Sequence, residues 1–378
     1  MTLETEAPGG IAHDSSAHRN FEQADRNYER RTLSKIFPGQ PWLDTNGNRI
    51  QAHSGYIYVE DDVFYWYGEN KERTAPGSDI WHWGIRCYSS TDLVNWEDRG
   101  LIIPPTPDDV DSPLHPTKLL DRPHIIKHQE TGKYVCWVKI MGDGFNQRTT
   151  VLVADRLLGP YEIVTTGLKP LGMNAGDFDL VVDPTDGKAY YYFERVHSEM
   201  ICADLTEDYT GVTGYYSTHF PQPGPPDVRE APAYFRRGSK HYLITSGTSG
   251  YFPNASEIAV ADSYHGPWTV LGDPHPDDTS RTSYRSQISS VFRHPLKQDL
   301  YIALADRWLP DLTPEESNQT ERYRRLFSGE EAQTEKADES VQHQSDLRVA
   351  EYVWLPITFE GDVPRIDWRD AWSPEDFD

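Results

Sequence analysis

Residues Leu180–Glu194 read LVVDPTDGKAYYYFE. A β-branched apolar run leads into a polar turn with Asp-Gly-Lys at its tip, and a second run rich in tyrosine follows. That is the chemistry of a tight β-hairpin: residues that tolerate positive φ in the turn, and bulky residues that suit a pleated surface on either side. Four other stretches have the same form: Tyr56–Glu69 (YIYVEDDVFYWYGE), His124–Ile140 (HIIKHQETGKYVCWVKI), Ala233–Gly247 (AYFRRGSKHYLITSG) and Ser289–Trp308 (SSVFRHPLKQDLYIALADRW). Helical periodicity is almost absent between them.

Each hairpin is followed by a second strand-turn-strand unit: IRCYSSTDLVNWEDRGLII, TVLVADRLLGPYEIV, ICADLTEDYTGVTG, IAVADSYHGPWTVLG and, last, RVAEYVWLPITFEGDVPRIDW. Five four-stranded units, about fifty to sixty residues apart, match the spacing of propeller blades. A single such sheet cannot cover both of its faces, and packing five around an axis does. A large β-sandwich or a β-helix is the alternative, which five similar hairpin pairs disfavour. The expectation is an all-β, five-bladed β-propeller over 37–378. Residues 1–36 form a polar tail or clasp, and a charged surface insertion at about 309–347 interrupts the fifth blade. That insertion reads as a solvated loop, partly helical or disordered, with a lid or an oligomer contact as the alternative.

Thirty-six Lys and Arg against 60 Asp and Glu give a net charge of −24. Such a balance argues against nucleic acid and anionic membranes, which both require basic patches, and fits neutral or cationic ligands. Aromatic residues make up 12% of the chain, enough for a largely aromatic core. Cys87, Cys136 and Cys202 show no CxxC spacing and read as buried free thiols. The opening MTLETEAPGGIAHDSS lacks the pattern of a signal peptide, and no run approaches the ~18 apolar residues of a membrane span. A cytoplasmic protein is expected. Fourteen histidines form no tight metal motif, so a catalytic metal is not expected. The composition does not fix the oligomeric state.

The innermost strands of a propeller converge on its axis, and residues at their N-terminal ends line a central hollow. Every blade offers polar residues there: His53 in QAHSG, Asp121 and Arg122 in DRPH, Asp177 and Asp179 in AGDFD, Glu230 in REAP, and Gln287 in RSQIS. Glycoside hydrolysis needs such a set: a protonated carboxylic acid for the leaving oxygen, and a second group that handles water or attacks the anomeric carbon. The acid keeps its proton only if burial or a neighbouring carboxylate raises its pKa. Glu230 fits that role with Asp177 across the axis. From the residues alone it fits equally well as a strand-edge carboxylate paired with Arg229 or Arg122.

DFDLVVDPTDGKAYYYF followed by REAPAYFRRGSKHYLITSG resembles glycoside hydrolase family 43, and the likeness runs from Trp42 to Trp372. HSGYIYVEDDVFYWYGE, CYSSTDLVNWEDRG and YVWLPITFEG resemble its exo-β-1,3-galactanase-like branch in particular. The resemblance implies a five-bladed propeller and an inverting reaction, with Glu230 as general acid and Asp177 as the carboxylate that tunes it. The family's usual base is an aspartate in an Asp-Pro pair entering blade one. Here that place reads AHSG, with His53 where the base would stand. In the branch, a glutamine in a Ser-Gln pair positions the attacking water, which implies Gln287. Glu69 of WYGE, Asp121 (where the branch usually has glutamate) and Thr248 of SGTSG match sugar-contacting positions, and Glu69 or Asp121 is the candidate proton acceptor. Arg122 joins them as a binding residue, and Tyr67 and Trp308 are candidate stacking surfaces, with packing in an aromatic-rich core the favoured alternative for each. No cofactor is implied, although some family members hold a structural calcium near the axis. The expected partner is a neutral plant-type oligosaccharide, most readily one ending in β-1,3-linked galactose. An α-L-arabinofuranosidase or β-galactofuranosidase of the same family, and a non-catalytic sugar-binding propeller, are the rival readings.

Overall fold

The computed structural model describes residues 32–142, 146–328 and 345–378. Blade one contains β1 (His53–Glu60), β2 (Val63–Glu69), β3 (Ile85–Ser90) and β4 (Glu97–Ile103). Blade two follows with β5 (Leu119–Lys127), β6 (Tyr134–Met141), β7 (Gln147–Ala154) and β8 (Glu162–Leu168). Blade three comprises β9 (Ala175–Val182), β10 (Ala189–Arg195), β11 (Glu199–Leu205) and β12 (Val212–His219). Blade four holds β13 (Arg229–Arg237), β14 (Lys240–Gly247), β15 (Glu257–Ala261) and β16 (Thr269–Gly272). β17 (Gln287–Arg293), β18 (Tyr301–Arg307), β19 (Glu351–Glu360) and β20 (Val363–Ile366) complete blade five.

Within every sheet the strands lie in chain order, and the innermost strands touch in the cycle β1–β5–β9–β13–β17–β1. The all-β, five-bladed propeller expected from the repeats is the fold. The tight hairpins follow the turn chemistry. Asp61 and Asp62, the two residues between β1 and β2, both sit at positive φ (51° and 62°), as a type I′ turn requires. Gly238 and Gly361, at φ 59° and 65°, open the two-residue turns of β13–β14 and β19–β20.

Among the described residues, no strand from one end of the chain completes a blade at the other; all four strands of blade five come from the C-terminal part. The ring is closed by packing and a short clasp. Ile36 and Trp372 exchange backbone hydrogen bonds of 2.7 and 3.1 Å, and the amide of Gly39 donates to the Tyr352 carbonyl at 2.7 Å. Beneath the clasp, Trp66 and Trp96 of blade one pack with Trp354 of blade five and with Trp372, all buried, and Trp42 joins from the N-terminal side. Trp66 and Trp354 meet edge to face at 4.5 Å between ring centres. Aromatic pairs of this kind add about 0.5–1.5 kcal/mol each beyond their buried area.

A β-bulge interrupts the first part of each innermost hairpin: between His53 and Tyr56, Asp121 and His124, Glu230 and Ala233, and Ile288 and Ser290, with the shift in blade three falling at Phe193–Arg195 on β10. Ser54, Arg122 and Ala231 take positive φ of 49°, 55° and 48° at these bulges. Pro123 and Pro232, which follow two of them, disfavour the right-handed helical region for the preceding residue and donate no ladder hydrogen bond. Bulges re-aim side chains at sheet edges, and here they lie at or beside Arg122, Glu194, Glu230 and Gln287 in blades two to five.

Between β18 and β19 the chain leaves the sheet as two short helices, α1 (Pro314–Ser317) and α2 (Thr320–Ser328). Thr313 and Glu316 form a reciprocal capping box at the start of α1. The insertion expected at 309–347 is thus helical in its described first part; 329–344 and residues 1–31 of the expected tail lie outside the described residues. No described helix is long and apolar enough to cross a membrane.

Candidate active site

At the axis, four of the residues singled out from the sequence meet in one hydrogen-bonded chain. Gln287 Nε2 donates to Glu230 Oε1 at 3.0 Å and also contacts the Ser246 hydroxyl at 2.9 Å. The Gln287 side-chain oxygen accepts from Arg122 Nη2 at 2.6 Å, and the same nitrogen reaches Asp177 Oδ2 at 2.8 Å. These residues come from blades five, four, two and three, so only ring closure brings them together. Asp177 is 6% exposed, and Lys139 Nζ binds its other oxygen at 2.6 Å.

The two carboxyls are driven apart in acidity. Burial pushes Glu230 well above the usual carboxylate range, and the charges of Asp177 and Glu194 push it further. Burial also opposes ionisation of Asp177, but Arg122 and Lys139 outweigh it and hold the group down at about 2. One carboxyl therefore keeps its proton near neutral pH beside one that cannot hold a proton.

Around this pair runs a second circle, of which the sequence reading had named only Glu69. Residues on the second strand of each blade face those on the first: Glu69 opposite His53, Lys139 opposite Asp121, Ser246 opposite Glu230, and Asp306 opposite Gln287. Glu194 takes the corresponding place within the blade-three bulge. A Cβ on Gly176 would fall 2.1 Å from its Oε2, so only glycine lets that carboxyl lie across β9. Burial lifts Glu194 to about 7, with the Asp177 charge adding to the rise against a hydrogen bond from the His197 amide. The signal for these residues was present, since each is a polar residue closing an otherwise apolar second strand: WYGE, WVK, YYFE, LITS and ALAD.

Glu69 and Asp121 share a wholly buried lysine. Lys71 Nζ lies 2.9 Å from Glu69 Oε2 and 3.6 Å from Asp121 Oδ1, and donates to the Trp81 carbonyl at 3.0 Å. Glu69 Oε1 accepts from the Arg122 amide at 2.9 Å, and Asp121 Oδ1 accepts from the Trp81 indole at 2.8 Å. Burial raises Glu69 to about 7; Lys71 pulls against the rise and Asp121 adds to it. Asp179, also noted at the start of blade three, serves the scaffold: it accepts from the Tyr234 amide at 2.7 Å and from the Tyr56 hydroxyl.

Three expected lining residues stand elsewhere. His53 has no exposed surface; its Nδ1 lies 3.0 Å from Asp306 Oδ1 and its ring stacks on Tyr352 at 4.8 Å. Burial lowers its pKa despite Asp306, so it sits beneath the floor as a packed, neutral-leaning ring rather than in the hollow. Tyr67 is packed between blades one and two, 1% exposed, with its hydroxyl accepting from the Ile125 amide at 2.7 Å. The Thr248 hydroxyl is spent on the Val228 carbonyl at 3.0 Å. Trp308, by contrast, lines a small hollow with Ser246, Tyr251, Gln287 and Asp306. Among the described residues, no group of three or more His, Cys, Asp or Glu is placed to hold a metal ion.

A buried proton-holding carboxyl hydrogen-bonded into the same network as an ionised one is the equipment of acid-assisted glycoside cleavage. The sequence matches the model of glycosyl hydrolases family 43 over residues 51–315, and the chain belongs to that family. Its fold is similar to a family 43 β-1,3-galactosidase at 29% identity and a TM-score of 0.74, covering 92% of this chain and 65% of that one. The chain thus spans about two thirds of that relative's length. A second family 43 β-1,3-galactosidase, solved with galactodeoxynojirimycin, is 27% identical, with 89% of this chain and 100% of that one covered and a TM-score of 0.71. An exo-β-1,3-galactanase from Phanerochaete chrysosporium, solved with β-1,3-galactotriose, is 26% identical over 90% of this chain and 68% of its own, with a TM-score of 0.71. No curated protein matches the sequence.

Proposed function

We propose that this chain is an inverting, exo-acting glycoside hydrolase that releases terminal β-1,3-linked galactose from neutral oligosaccharides. The observation that carries the reading is the continuous contact Glu230–Gln287–Arg122–Asp177. In the reaction, Glu230 gives its proton to the glycosidic oxygen as the bond from the anomeric carbon to that oxygen breaks. Asp177 keeps that proton on Glu230 until then. Water held by Gln287 attacks the anomeric carbon from the opposite face and inverts it. The water's proton passes to Glu69 or Asp121. Glu69, at about 7, is suited to take a proton near neutral pH.

The substrate choice rests on the galactose-acting relatives and on the net charge of −24, which repels acidic glycans. Short fragments of arabinogalactan-type polymers, met in the cytoplasm, are the natural form of such a ligand under this reading. Glu230→Gln should abolish turnover of β-1,3-galactobiose while the thermal transition is retained, and proton NMR should show α-galactose as the first product. Undiminished turnover by that variant would remove Glu230 from its role. Comparison with aryl α-L-arabinofuranoside and β-galactofuranoside substrates separates the sister specificities, and binding without turnover would point to a non-catalytic propeller.

A further inference from the structure

The insertion of blade five was left without a role by the sequence, and the reaction above does not use it. Its path is specific. From Trp308 the chain crosses the face that carries the site: the Asn318 side chain donates to the Ser280 carbonyl at 2.9 Å, and Arg285 Nη1 donates to the Leu312 carbonyl. α2 then reaches beyond its own blade. Arg324 pairs with Asp227, ahead of β13, at 2.8 Å. Tyr323, 4% exposed, meets Phe252 edge to face at 6.4 Å. Phe327 meets His197, in the β10–β11 turn of blade three, at 5.6 Å.

Phe252 belongs to the β14–β15 loop, and its neighbour Tyr251 extends over the axis. The Tyr251 ring stacks against Trp81, from the β2–β3 loop of blade one, at 6.2 Å and 21°. On its other side it meets Trp308 of blade five at 5.0 Å. Blades one and four are not neighbours in the ring, so this contact spans the hollow from one side to the other. The Tyr251 hydroxyl is buried and feels the charges of Asp121, Glu69, Arg122 and Asp177, groups assigned above to the substrate's water or to the proton on Glu230. Tyr251 and Trp308 therefore line the hollow beside Gln287 and Asp306, and Trp81 backs the Tyr251 ring.

We propose that Tyr251 is a specificity-determining residue that limits the site to a single terminal sugar, and that the 309–328 arm is the brace that holds it there. The first half rests on the hydrolase reading and the second does not. With Tyr251 in place, a second sugar beyond the terminal one meets the ring. With the ring removed, the hollow that Phe252 and Pro253 also line opens toward Trp81, and a disaccharide unit can be accommodated.

The test uses the full chain, Tyr251→Ala, and the double variant Tyr323→Ala/Arg324→Ala. On β-1,3-galactotetraose the unaltered chain should release galactose alone. Both variants should release galactobiose as well, raising the disaccharide-to-monosaccharide ratio at least about ten-fold, within the range one pocket contact commands. Hydrogen exchange of the amides in Gly247–Ser256 should be about ten-fold faster in the double variant than in the unaltered chain, since loss of packing lowers the local opening free energy. Galactose as the sole product from Tyr251→Ala overturns the specificity role, and unchanged exchange in the double variant overturns the brace. Failure of the unaltered chain to cleave any galactoside counts against the hydrolase reading instead, because the exchange measurement reads the brace without substrate.

Discussion

Replacing Asp177 with asparagine removes one charge from the axis at nearly constant shape. In the unaltered chain that carboxylate stays ionised at about 2 because Lys139 and Arg122 sit 2.6 and 2.8 Å away. Its charge adds to burial in keeping the proton on Glu230. The substitution acts on Glu230 twice with the same sign. The repulsion is lost, and two cations are freed from their partner, both of which favour an ionised Glu230. A nearby charge moves a buried carboxyl by about 1–3 pH units; the middle of that range, about two, is ~2.7 kcal/mol or roughly a hundred-fold in the protonated fraction above the new pKa. The assay is kcat/KM from about pH 4 to about pH 9 for β-1,3-galactobiose and for a dinitrophenyl galactoside, whose leaving group needs no proton. The basic limb of the disaccharide profile should move about two pH units toward acid, while the dinitrophenyl rate changes little. Unpairing buried cations also costs stability, about 3–5 kcal/mol, so rates are taken well below the variant's thermal transition. A basic limb that stays in place would refute the claim that Asp177 holds the acid's proton.

Three further outcomes follow from the same geometry. The contributions of Glu69 and Glu194 to stability should fall as pH rises from about 4.5 to about 7, because both are raised from 4.5 to about 7 on folding. Burial-lowered His82, His197 and His219, at about 4, act oppositely over the same range. The unfolded chain sheds the glutamate protons first, at up to about 3 kcal/mol per group; Asp177, lowered from 3.8, acts oppositely and loses its contribution below about pH 4. Thermal melts of the unaltered chain compared with Glu69→Gln, Glu194→Gln and Asp177→Asn across that range isolate each sign. Gln287→Ala breaks the link between Glu230 and Arg122 and should lower kcat on the galactobiose by about 10²-fold or more, with KM changed far less, as loss of a water-positioning group does. Trp66→Ala, at 1% exposure in the blade-one to blade-five cluster, should cost about 3–5 kcal/mol in urea denaturation.

The propeller was legible because five hairpins repeat one local pattern, and a turn such as Asp61-Asp62 or Gly238-Ser239 declares itself without tertiary context. Glu230, Asp177, Arg122 and Gln287 were legible because they stand at the start of innermost strands, where polar residues break the apolar run. Lys139, Glu194 and Asp306 were harder to read. They end apolar second strands, and nothing in a single strand says which end faces the axis. Tyr251 and Trp81 lie in loops with no period at all, so their meeting across the ring depends on closure. His53 was misplaced for a related reason: a bulge with Ser54 at φ 49° separates it from the strand's regular alternation. Its ring consequently turns under the floor toward Asp306.

The way the circle is fastened has a consequence for how the enzyme can be altered. Gln287 and Asp306 stand on the last blade and His53 and Glu69 on the first, so the proposed catalytic hollow straddles the joint between the first and last blades, which no strand-to-strand loop connects. That joint is secured by a cluster of indoles, two short backbone tethers and the blade-one hydrogen bonds to Asp306 and Tyr352. Trimming or crowding either terminus near Ile36 or Trp372 would therefore reach the chemistry directly, by letting the gap between water-holder and acceptor drift before the sheets themselves come apart.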